Sequence, residues 1–222
     1  MTSSIVNNSP LPQLAMLDNK LALTSDLFSP IFVDFSHAAW KKRHAEGKKQ
    51  GLIRACKPAK GTKIIDATAG WGRDAVLLAS FGAKVIMLER NLTMAALLED
   101  ALKRNPVPTL DLSLIVTDAT TYLNSLASNN LPDVIYIDPM HPERKKSALV
   151  KKDMQALQHL VKPDPDTKSL IESAILHTNN RVVVKWPQHA PAELKPDFSF
   201  PGKTVRFDVY LKKTYDTDTH SK

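Results

Sequence analysis

The stretch Asp66-Ala-Thr-Ala-Gly-Trp-Gly-Arg-Asp-Ala75 follows a short apolar segment and precedes a segment with the apolar spacing of a helix. Gly70 and Gly72 permit positive φ angles and let backbone N–H groups approach a ligand closely. The helix predicted to begin near Arg73 directs its positive end toward the same loop, which favours a carboxylate or a phosphate there. The pattern Gly-x-Gly-x-x-Ala therefore predicts a ligand-binding loop, although a tight strand-to-helix turn without a ligand fits it too.

Strands and helices alternate regularly from residue 57 onward. The apolar segments predict strands at 62–65, 83–88, 112–116, 133–137 and 181–185, with helices at 74–81, 93–104, 120–128, 147–160 and 169–176. This alternation predicts an α/β fold with a doubly wound, mostly parallel sheet covered by helices on both faces. Two final strands at 197–200 and 205–211 are predicted to form an antiparallel hairpin at one edge.

The first part of the chain has a different pattern. Residues 1–56 are predicted to be an N-terminal extension and residues 57–222 the main domain. The extension is expected to contain short strands at 21–24 and 31–35, separated by Ser29-Pro30, and a basic helix over 37–56.

Composition limits the classes of protein to consider. The 222 residues include 30 Lys and Arg against 23 Asp and Glu, and the formal charge of +7 favours polyanionic partners such as nucleic acid. No segment approaches the ~18 consecutive apolar residues that span a bilayer, and the first residues lack the pattern of a signal peptide. The single cysteine, Cys56, has no metal-ligand spacing around it and is expected to pack in the core. We expect a cytoplasmic protein without membrane contact or metal.

Acidic residues follow the next two predicted strands. Ligands of open parallel sheets bind outside the carboxyl ends of the strands. Glu89, followed by Arg90, lies 19 residues beyond Gly70, a spacing at which its carboxylate can accept hydrogen bonds from both hydroxyls of a ribose. Asp118 can accept a hydrogen bond from an adenine amino group while the N–H of Ala119 meets a ring nitrogen. An aspartate at this place can equally cap the next helix.

The order Asp66…Gly70-x-Gly72…Glu89…Asp118 closely resembles that of class I S-adenosylmethionine (SAM)-dependent methyltransferases. The resemblance implies SAM as the cofactor and S-adenosylhomocysteine as its product. SAM carries no phosphate, so its loop must hold an amino-acid group and tolerate a sulfonium. An acidic side chain such as Asp66 suits both requirements.

The stretch Asp138-Pro-Met-His-Pro142 follows the fourth predicted strand. It resembles the Asp-Pro-Pro-Tyr class of motif in methyltransferases that act on exocyclic amino groups of bases, although Asp-Pro is also an ordinary turn. Pro139 stiffens the loop and leaves carbonyl oxygens free to accept hydrogen bonds. The Asp138 carboxylate and a backbone carbonyl can then orient the lone pair of the amine toward the methyl group. After Met140, His141 occupies the position that stacks on the target base, which must be unpaired or flipped.

Further stretches narrow the resemblance. They are Leu88-Glu-Arg-Asn91, Lys145-Lys-Ser-Ala-Leu-Val-Lys-Lys152, Arg181-Val-Val-Val-Lys185 and Arg206-Phe-Asp-Val-Tyr210. With the two loops, they make the chain similar, from about residue 31 to residue 211, to the bacterial RsmJ family of small-subunit ribosomal RNA guanine-N2 methyltransferases. The resemblance implies cofactor contacts by Arg73, Asp74, Glu89, Arg90, Asp118, Ala119 and Asp138. The family usually carries an aromatic residue where this chain has His141.

Basic residues form two clusters, each of which could also be a solvated helix face. The first consists of Lys41, Lys42, Arg43, His44, Lys48 and Lys49. The second begins directly after the stretch of residues 138–142, which we call the reaction loop. This second cluster is predicted to contact RNA phosphates through Arg144, Lys145, Lys146, Lys151 and Lys152. Lys185, at another strand end, is predicted either to contact RNA as well or to be a plain surface lysine.

The sequence therefore predicts methyl transfer from SAM to the exocyclic N2 amine of a guanosine in small-subunit (16S) ribosomal RNA, free or in the small ribosomal subunit. A methyltransferase for another RNA or DNA amine stays open, because orienting an amine does not identify the ring that carries it. A dinucleotide-dependent oxidoreductase would not explain Asp138-Pro139. An RNA-binding assembly factor with a vestigial pocket would not explain the intact acidic set Asp66, Glu89, Asp118 and Asp138.

Overall fold

The computed structural model describes residues 12–26, 28–104, 110–140 and 166–212. Some predictions fall outside these ranges. They are the helix at 147–160, the proposed stacking residue His141, and the second basic cluster with Arg144, Lys145, Lys146, Lys151 and Lys152.

A three-stranded antiparallel sheet forms the N-terminal part. It consists of β1 (Gln13–Leu17), β2 (Lys20–Ser25) and β3 (Phe28–Phe32), in the order β1-β2-β3. The sequence predicted the second strand, missed the first and placed the third at 31–35. Pro30 lies inside β3 rather than before it, which an edge strand tolerates because one row of its N–H groups has no partner strand.

The basic helix predicted at 37–56 is divided into α1 (His37–Glu46), a 3₁₀ turn (Gly47–Lys49) and α2 (Gly51–Cys56). Gly47 has a φ of +51° and ends α1. Only a residue without a Cβ takes up such a backbone conformation easily, so the single continuous helix was wrong at this position.

The main sheet has seven strands in the order β6-β5-β4-β7-β8-β10-β9. Its elements are β4 (Lys63–Asp66), α3 (Arg73–Ser80), β5 (Lys84–Glu89), α4 (Leu92–Arg104), β6 (Leu112–Val116), α5 (Ala119–Asn124), β7 (Val134–Ile137), α6 (Thr167–Leu176), β8 (Arg181–Pro187), β9 (Phe198–Phe200) and β10 (Val205–Leu211). A 3₁₀ turn, Ser128–Asn130, precedes β7. Strands β4 to β8 are parallel, and β10 runs antiparallel to both β8 and β9. The predicted α/β class and closing hairpin are confirmed.

Two hydrophobic cores lie on opposite faces of this sheet. Successive residues of β4 show the alternation, because Ile64 belongs to one core and Ile65 to the other. The first core joins side chains of α2, α3 and α4 to residues of the N-terminal part such as Leu23 and Phe35. The division after residue 56 stays a prediction, since both sides of that boundary share one core. Cys56 is buried there as a free thiol, and burial raises its pKa.

The chain order places a crevice between β4 and β7. From β4 the chain continues to β5 and β6 on one side, whereas β7 and β8 lie on the other. The loops that follow β4 and β7 therefore diverge at the carboxyl edge of the sheet, where such folds bind their ligands. In the part of the chain that is described, no helix is long and apolar enough to cross a membrane.

Candidate active site

A cavity of about 750 Å³ opens at the carboxyl ends of β4 to β7, and its size suits a cofactor-sized ligand. The predicted site residues in its wall are Asp66, Gly70, Arg73, Asp74, Glu89, Arg90, Asp118, Ala119, Asp138, Pro139, Met140 and Lys185. The structure thus brings together all the predicted site residues that it describes, with the exception of Gly72.

The two glycines of the first loop have different surroundings. Both have positive φ, +50° at Gly70 and +67° at Gly72, as predicted. A Cβ on Gly70 would have only the Thr68 carbonyl oxygen nearby, at 3.9 Å, so its backbone is open to a ligand. A Cβ on Gly72 would lie 2.8 Å from Cζ of Phe35 and 2.9 Å from Cδ2 of Leu98. Gly72 fits the loop against the first core instead of lining the cavity.

Glu89 joins the first loop to the end of β5. Its Oε2 accepts a hydrogen bond from the Gly70 N–H at 3.1 Å, and its Oε1 accepts one from the Asn91 N–H at 2.8 Å. Burial raises the pKa of Glu89, and the backbone hydrogen bonds oppose that effect. The Arg90 N–H is a third backbone donor to this carboxylate. Because a carboxylate has about four lone-pair sites, at least one is left for a ribose hydroxyl.

Asp118 caps α5, which is the alternative that the sequence left open. Its Oδ1 accepts hydrogen bonds from the Thr121 N–H at 3.0 Å and from Oγ1 of Thr121 at 3.2 Å. Its Oδ2 lies 3.8 Å from Nη1 of Arg90. Capping uses only one of the two carboxylate oxygens of Asp118 and so does not conflict with a contact to adenine. The contacts of Asp118 and Ala119 with an adenine stay predictions.

Asp66 is buried at the base of the first loop, where its Oδ1 accepts a hydrogen bond from the Thr68 N–H at 3.2 Å. Burial raises the pKa of Asp66 to about 8, and the negative charges of Asp74, Asp138 and Glu89 add to the increase. A cationic group in the cavity would stabilise the ionised form of Asp66. The site is therefore electrostatically suited to a positively charged ligand.

Asp74 is the centre of a buried polar network. Nη2 of Arg43 lies 2.8 Å from its Oδ1, while its Oδ2 accepts a hydrogen bond from the Tyr136 hydroxyl at 2.7 Å and lies 3.4 Å from Nζ of Lys185. Burial alone would raise the pKa of Asp74, but the positive charges of Lys185 and Arg43 outweigh it and lower the pKa to about 2. Asp74 is thus a carboxylate that stays ionised inside the protein.

Lys185 connects this network to the reaction loop. Its Nζ lies 2.7 Å from Oδ2 of Asp138, and the Asp138 N–H donates a hydrogen bond to Oγ1 of Thr68 at 2.6 Å. The two carboxylates hold the pKa of Lys185 above its usual range despite burial of the ammonium. The Asp138 side chain remains 36% exposed and lines the cavity, and the contact with Lys185 engages its Oδ2.

Three of these residues were not predicted as site residues. Thr68 lies inside the quoted glycine loop, and Tyr136 is a polar aromatic residue in an apolar strand, which is the signal that could have indicated it. Arg43 belongs to the first basic cluster, but only the packing of α1 shows that it reaches the cavity. RNA contact by Lys185 stays a prediction, although its ammonium group is engaged by Asp138 and Asp74.

The ion pairs of Asp74 predict a specific loss of stability in acid. Because its pKa is lower in the folded protein than the usual 3.8, Asp74 stabilises the fold above about pH 4, and this contribution is lost as the pH falls toward 2. Asp74→Asn should therefore lower the free energy of unfolding by about 2 kcal/mol at pH 6. The difference from wild type should shrink steadily below pH 4 in urea unfolding series.

The exposed pair Lys168–Glu172 on α6 provides the control, with 4.0 Å between Nζ and Oε1. Glu172→Gln should change the free energy of unfolding by less than ~1 kcal/mol both at pH 6 and at pH 2, because exposed ion pairs contribute little. If the difference in the free energy of unfolding between wild type and Asp74→Asn stayed constant from pH 6 to pH 2, the role given to Asp74 would be contradicted.

The donor chemistry of the cavity fits SAM. Its described wall carries the carboxyl groups of Asp66, Asp74, Glu89, Asp118, Asp138 and Asp166. Of the cations on this wall, Arg43, Arg90 and Lys185 are each paired with a carboxylate. Such a wall suits a sulfonium and an amino group better than the pyrophosphate of a dinucleotide. Within the described ranges, no group of three His, Cys, Asp or Glu side chains is arranged to hold a metal ion.

Comparison with known proteins places the chain in a class. A family model described as "Putative SAM-dependent methyltransferase" matches residues 4–212. A crystal structure of a SAM-dependent methyltransferase from Neisseria gonorrhoeae superposes with a TM-score of 0.72 at 28% identity, covering 98% of this chain and 90% of the other. With the sheet order and the acidic cavity, these matches define the chain as a class I SAM-dependent methyltransferase.

Curated relatives identify the family within this class. Ribosomal RNA small subunit methyltransferase J of Legionella pneumophila (strain Lens) is 58% identical over 201 residues, which covers 89% of this chain and 83% of the relative. The protein of the same name from Hydrogenovibrio crunogenus is 44% identical over 212 residues, covering 89% and 75%. The chain belongs to the RsmJ family.

Proposed function

We propose that the chain methylates the exocyclic N2 amine of a guanosine in small-subunit ribosomal RNA, in the cytoplasm. The observation that carries the proposal is the position of Asp138 on the wall that also holds Asp66 and Glu89. Its backbone is tied to Thr68 and one carboxylate oxygen to Lys185, which leaves the other oxygen for a substrate. The name of the curated relatives supports ribosomal RNA as that substrate.

The amine of guanine needs orientation more than it needs a strong base. Its lone pair is delocalised into the ring, so holding both N–H groups turns the lone pair toward the methyl carbon and reduces the barrier. In our proposal Oδ1 of Asp138 accepts one N–H, and the carbonyl oxygen of Pro139 or a neighbouring residue accepts the other. SAM, when bound, would supply the electrophilic methyl group, and its sulfur would keep the electron pair of the broken S–CH₃ bond to give S-adenosylhomocysteine. The nitrogen gains a bond to carbon and then loses a proton to solvent through Asp138.

Cofactor binding is assigned to the remaining wall of the cavity. Glu89 holds the ribose hydroxyls, the backbone around Gly70 approaches the amino-acid part, and Asp66 faces its cationic groups. Asp118 and Ala119 are assigned to the adenine. The positions of the side chains at successive strand ends and the charge of the cavity wall support these roles.

Lys185 has a positioning role in this proposal, because its Nζ holds the Asp138 carboxylate at 2.7 Å. Burial and the charge of Asp74 raise the pKa of Asp138, and the charge of Lys185 opposes that rise. Lys185→Met should lower kcat by about 10–100-fold with a much smaller change in the KM for SAM, since misplacing a reacting group costs rate. It should also shift the acid limb of the kcat profile to higher pH, because Asp138 loses the cation that favours its ionised form.

Two variants test this assignment. Lys185→Arg should restore part of the rate, since a guanidinium supplies the same charge. Lys168→Met, which removes an exposed lysine from α6, should leave kcat and its pH profile unchanged. Wild-type kinetics in Lys185→Met would exclude the positioning role.

The proposed reaction is tested with labelled SAM and two nucleic acids. Small ribosomal subunits that lack the modification, and separately DNA, are incubated with the protein, and the products are digested to nucleosides for mass spectrometry. We expect label in N2-methylguanosine from the subunit RNA. Label in a different RNA nucleoside would contradict the N2 amine of guanosine as the target. Label only in DNA would reject RNA as the substrate.

A further inference from the structure

The segment of residues 41–49 is strongly basic and outwardly exposed. Its four lysines are exposed to solvent, and Glu46 is the single acidic residue between positions 37 and 49. Among the residues that the structure describes, no ion pair engages these lysines, which are Lys41, Lys42, Lys48 and Lys49. Their charges are therefore available to a polyanion.

Arg43 anchors this segment to the wall of the cofactor cavity. Besides its ion pair with Asp74, its Nη1 donates a hydrogen bond to the Arg73 carbonyl oxygen at 3.4 Å. Arg43 and Gln50 also bond each other, from Nε to Oε1 at 3.2 Å and from the Gln50 amide to the Arg43 carbonyl. These bonds close the chain between positions 43 and 50 into a fixed loop beside the cavity.

A second set of contacts fixes the inner side of α1. The His44 ring stacks on Phe81 with 4.4 Å between ring centroids, and its Nδ1 lies 2.9 Å from Oγ of Ser80. By helix geometry Lys42 lies on the side of α1 opposite His44 and Lys41 on its flank, while Lys48 and Lys49 lie on the turn that follows the helix. The segment thus presents its charges from a rigid support, so binding a partner there costs little ordering of the backbone.

We infer that residues 41–49 form a surface for the phosphate backbone of RNA next to the target nucleotide. The inference rests on the proposed function, which supplies RNA as the substrate that must enter the adjacent cavity. Lysine ammonium groups bind phosphates as point charges and carry no base specificity, as a positioning surface requires. The exposed apolar residues of α1 are alanines, which lack the large apolar side chains that amphipathic helices insert into membranes. The surface therefore fits a polyanionic nucleic acid better than a membrane.

The test removes the four positive charges and compares a matched variant. The first variant carries Lys41→Ala, Lys42→Ala, Lys48→Ala and Lys49→Ala. The control carries Lys60→Ala, Lys63→Ala, Lys84→Ala and Lys103→Ala, which removes the same charge from four exposed lysines. Lys63 and Lys84 begin adjacent strands, so they lie at the edge of the sheet opposite the cavity.

Binding is measured by fluorescence anisotropy with a labelled, unmodified fragment of small-subunit ribosomal RNA between 50 and 200 mM salt. The first variant should bind the RNA at least 10-fold more weakly than the control, and the slope of log K against log salt should fall by about 3, since each phosphate contact contributes roughly 0.7–0.9. The KM for RNA should rise while kcat at saturating RNA and affinity for S-adenosylhomocysteine stay at wild-type values.

The outcomes separate the surface from the proposed reaction. Equal RNA affinities and salt slopes in the two variants would overturn the surface, even where methylation of ribosomal RNA is normal. A selective loss in the first variant would uphold the surface even if the wild type transferred no methyl group to RNA, a result that would refute the proposed function alone. If the first variant lost binding to anionic phospholipid vesicles but bound RNA as tightly as the control, the proposed RNA surface would also be overturned.

Discussion

Asp138→Ala is expected to lower kcat for methyl transfer by about 10²–10³-fold, the range seen when one preorganised hydrogen-bonding group is removed from an active site. The carboxylate oxygen that is not paired with Lys185 is the proposed acceptor for the substrate amine. Without it the lone pair of the amine is not directed at the methyl carbon, and the Lys185 ammonium has only Asp74 as a carboxylate partner. Single-turnover transfer from labelled SAM to unmodified small-subunit RNA measures the loss.

Two controls distinguish a lost reaction from a lost fold or cofactor. Asp166→Ala removes another carboxylate from the same wall, outside the reaction loop, and should reduce kcat less than 10-fold. Calorimetric titration with S-adenosylhomocysteine and the Tm should show that Asp138→Ala remains folded and binds cofactor. Retained full turnover would remove Asp138 from the mechanism, whereas Asp138→Asn should keep a small part of the rate through its amide oxygen.

The strand ends of the site could be predicted because they depend on local patterns. Apolar periodicity locates β4, β5 and β7, and the topology rule for open sheets then places the residues after them at one edge. Asp66, Glu89 and Asp138 were found in this way and line one cavity. The glycines were found because positive φ has a direct signature in sequence.

The polar network could not be predicted because it depends on strand register. Ile137 of β7 pairs with Val184 of β8, so the next residues, Asp138 and Lys185, become neighbours across the sheet. The sequence interval between them contains no signal for that pairing. Lys185 was accordingly predicted as an RNA contact or a surface lysine, and the ion pair with Asp138 was missed.

Tertiary packing also explains the errors in the N-terminal part. Gly47 interrupts a segment that otherwise has the composition of one helix, and the interruption lets Arg43 and Gln50 bond each other. The strand β1 has weak alternation of its own and is stabilised by pairing with β2 along its whole length. The pairing of β1 is a contact between elements, which a single sequence does not specify. The break at Gly47 depends on the conformation that one glycine adopts, which the sequence permits but does not require.

The second large effect is expected from Gly72→Ala, which should lower the free energy of unfolding by about 2–5 kcal/mol. An alanine in the left-handed region costs about 1–2 kcal/mol, and overpacking a core adds roughly 1–3 kcal/mol. Both apply here, because φ is +67° and the new methyl group would lie within 3 Å of Phe35 and Leu98. Urea unfolding measures the change, and weaker binding of S-adenosylhomocysteine should accompany it because the loop that carries Gly70 shifts.

Two comparisons separate the backbone cost from the crowding. Gly61 also has a positive φ, +88°, but a Cβ there would have no atom within 4 Å, so Gly61→Ala should cost only the backbone part, about 1–2 kcal/mol. Phe35→Leu removes the ring atoms that the new methyl group would meet, so Gly72→Ala should cost less in that background. If Gly72→Ala cost no more than Gly61→Ala, and the same in both backgrounds, crowding at Gly72 would be excluded. The loop would then owe its position to Glu89, whose carboxylate bonds the Gly70 N–H from the end of the neighbouring strand.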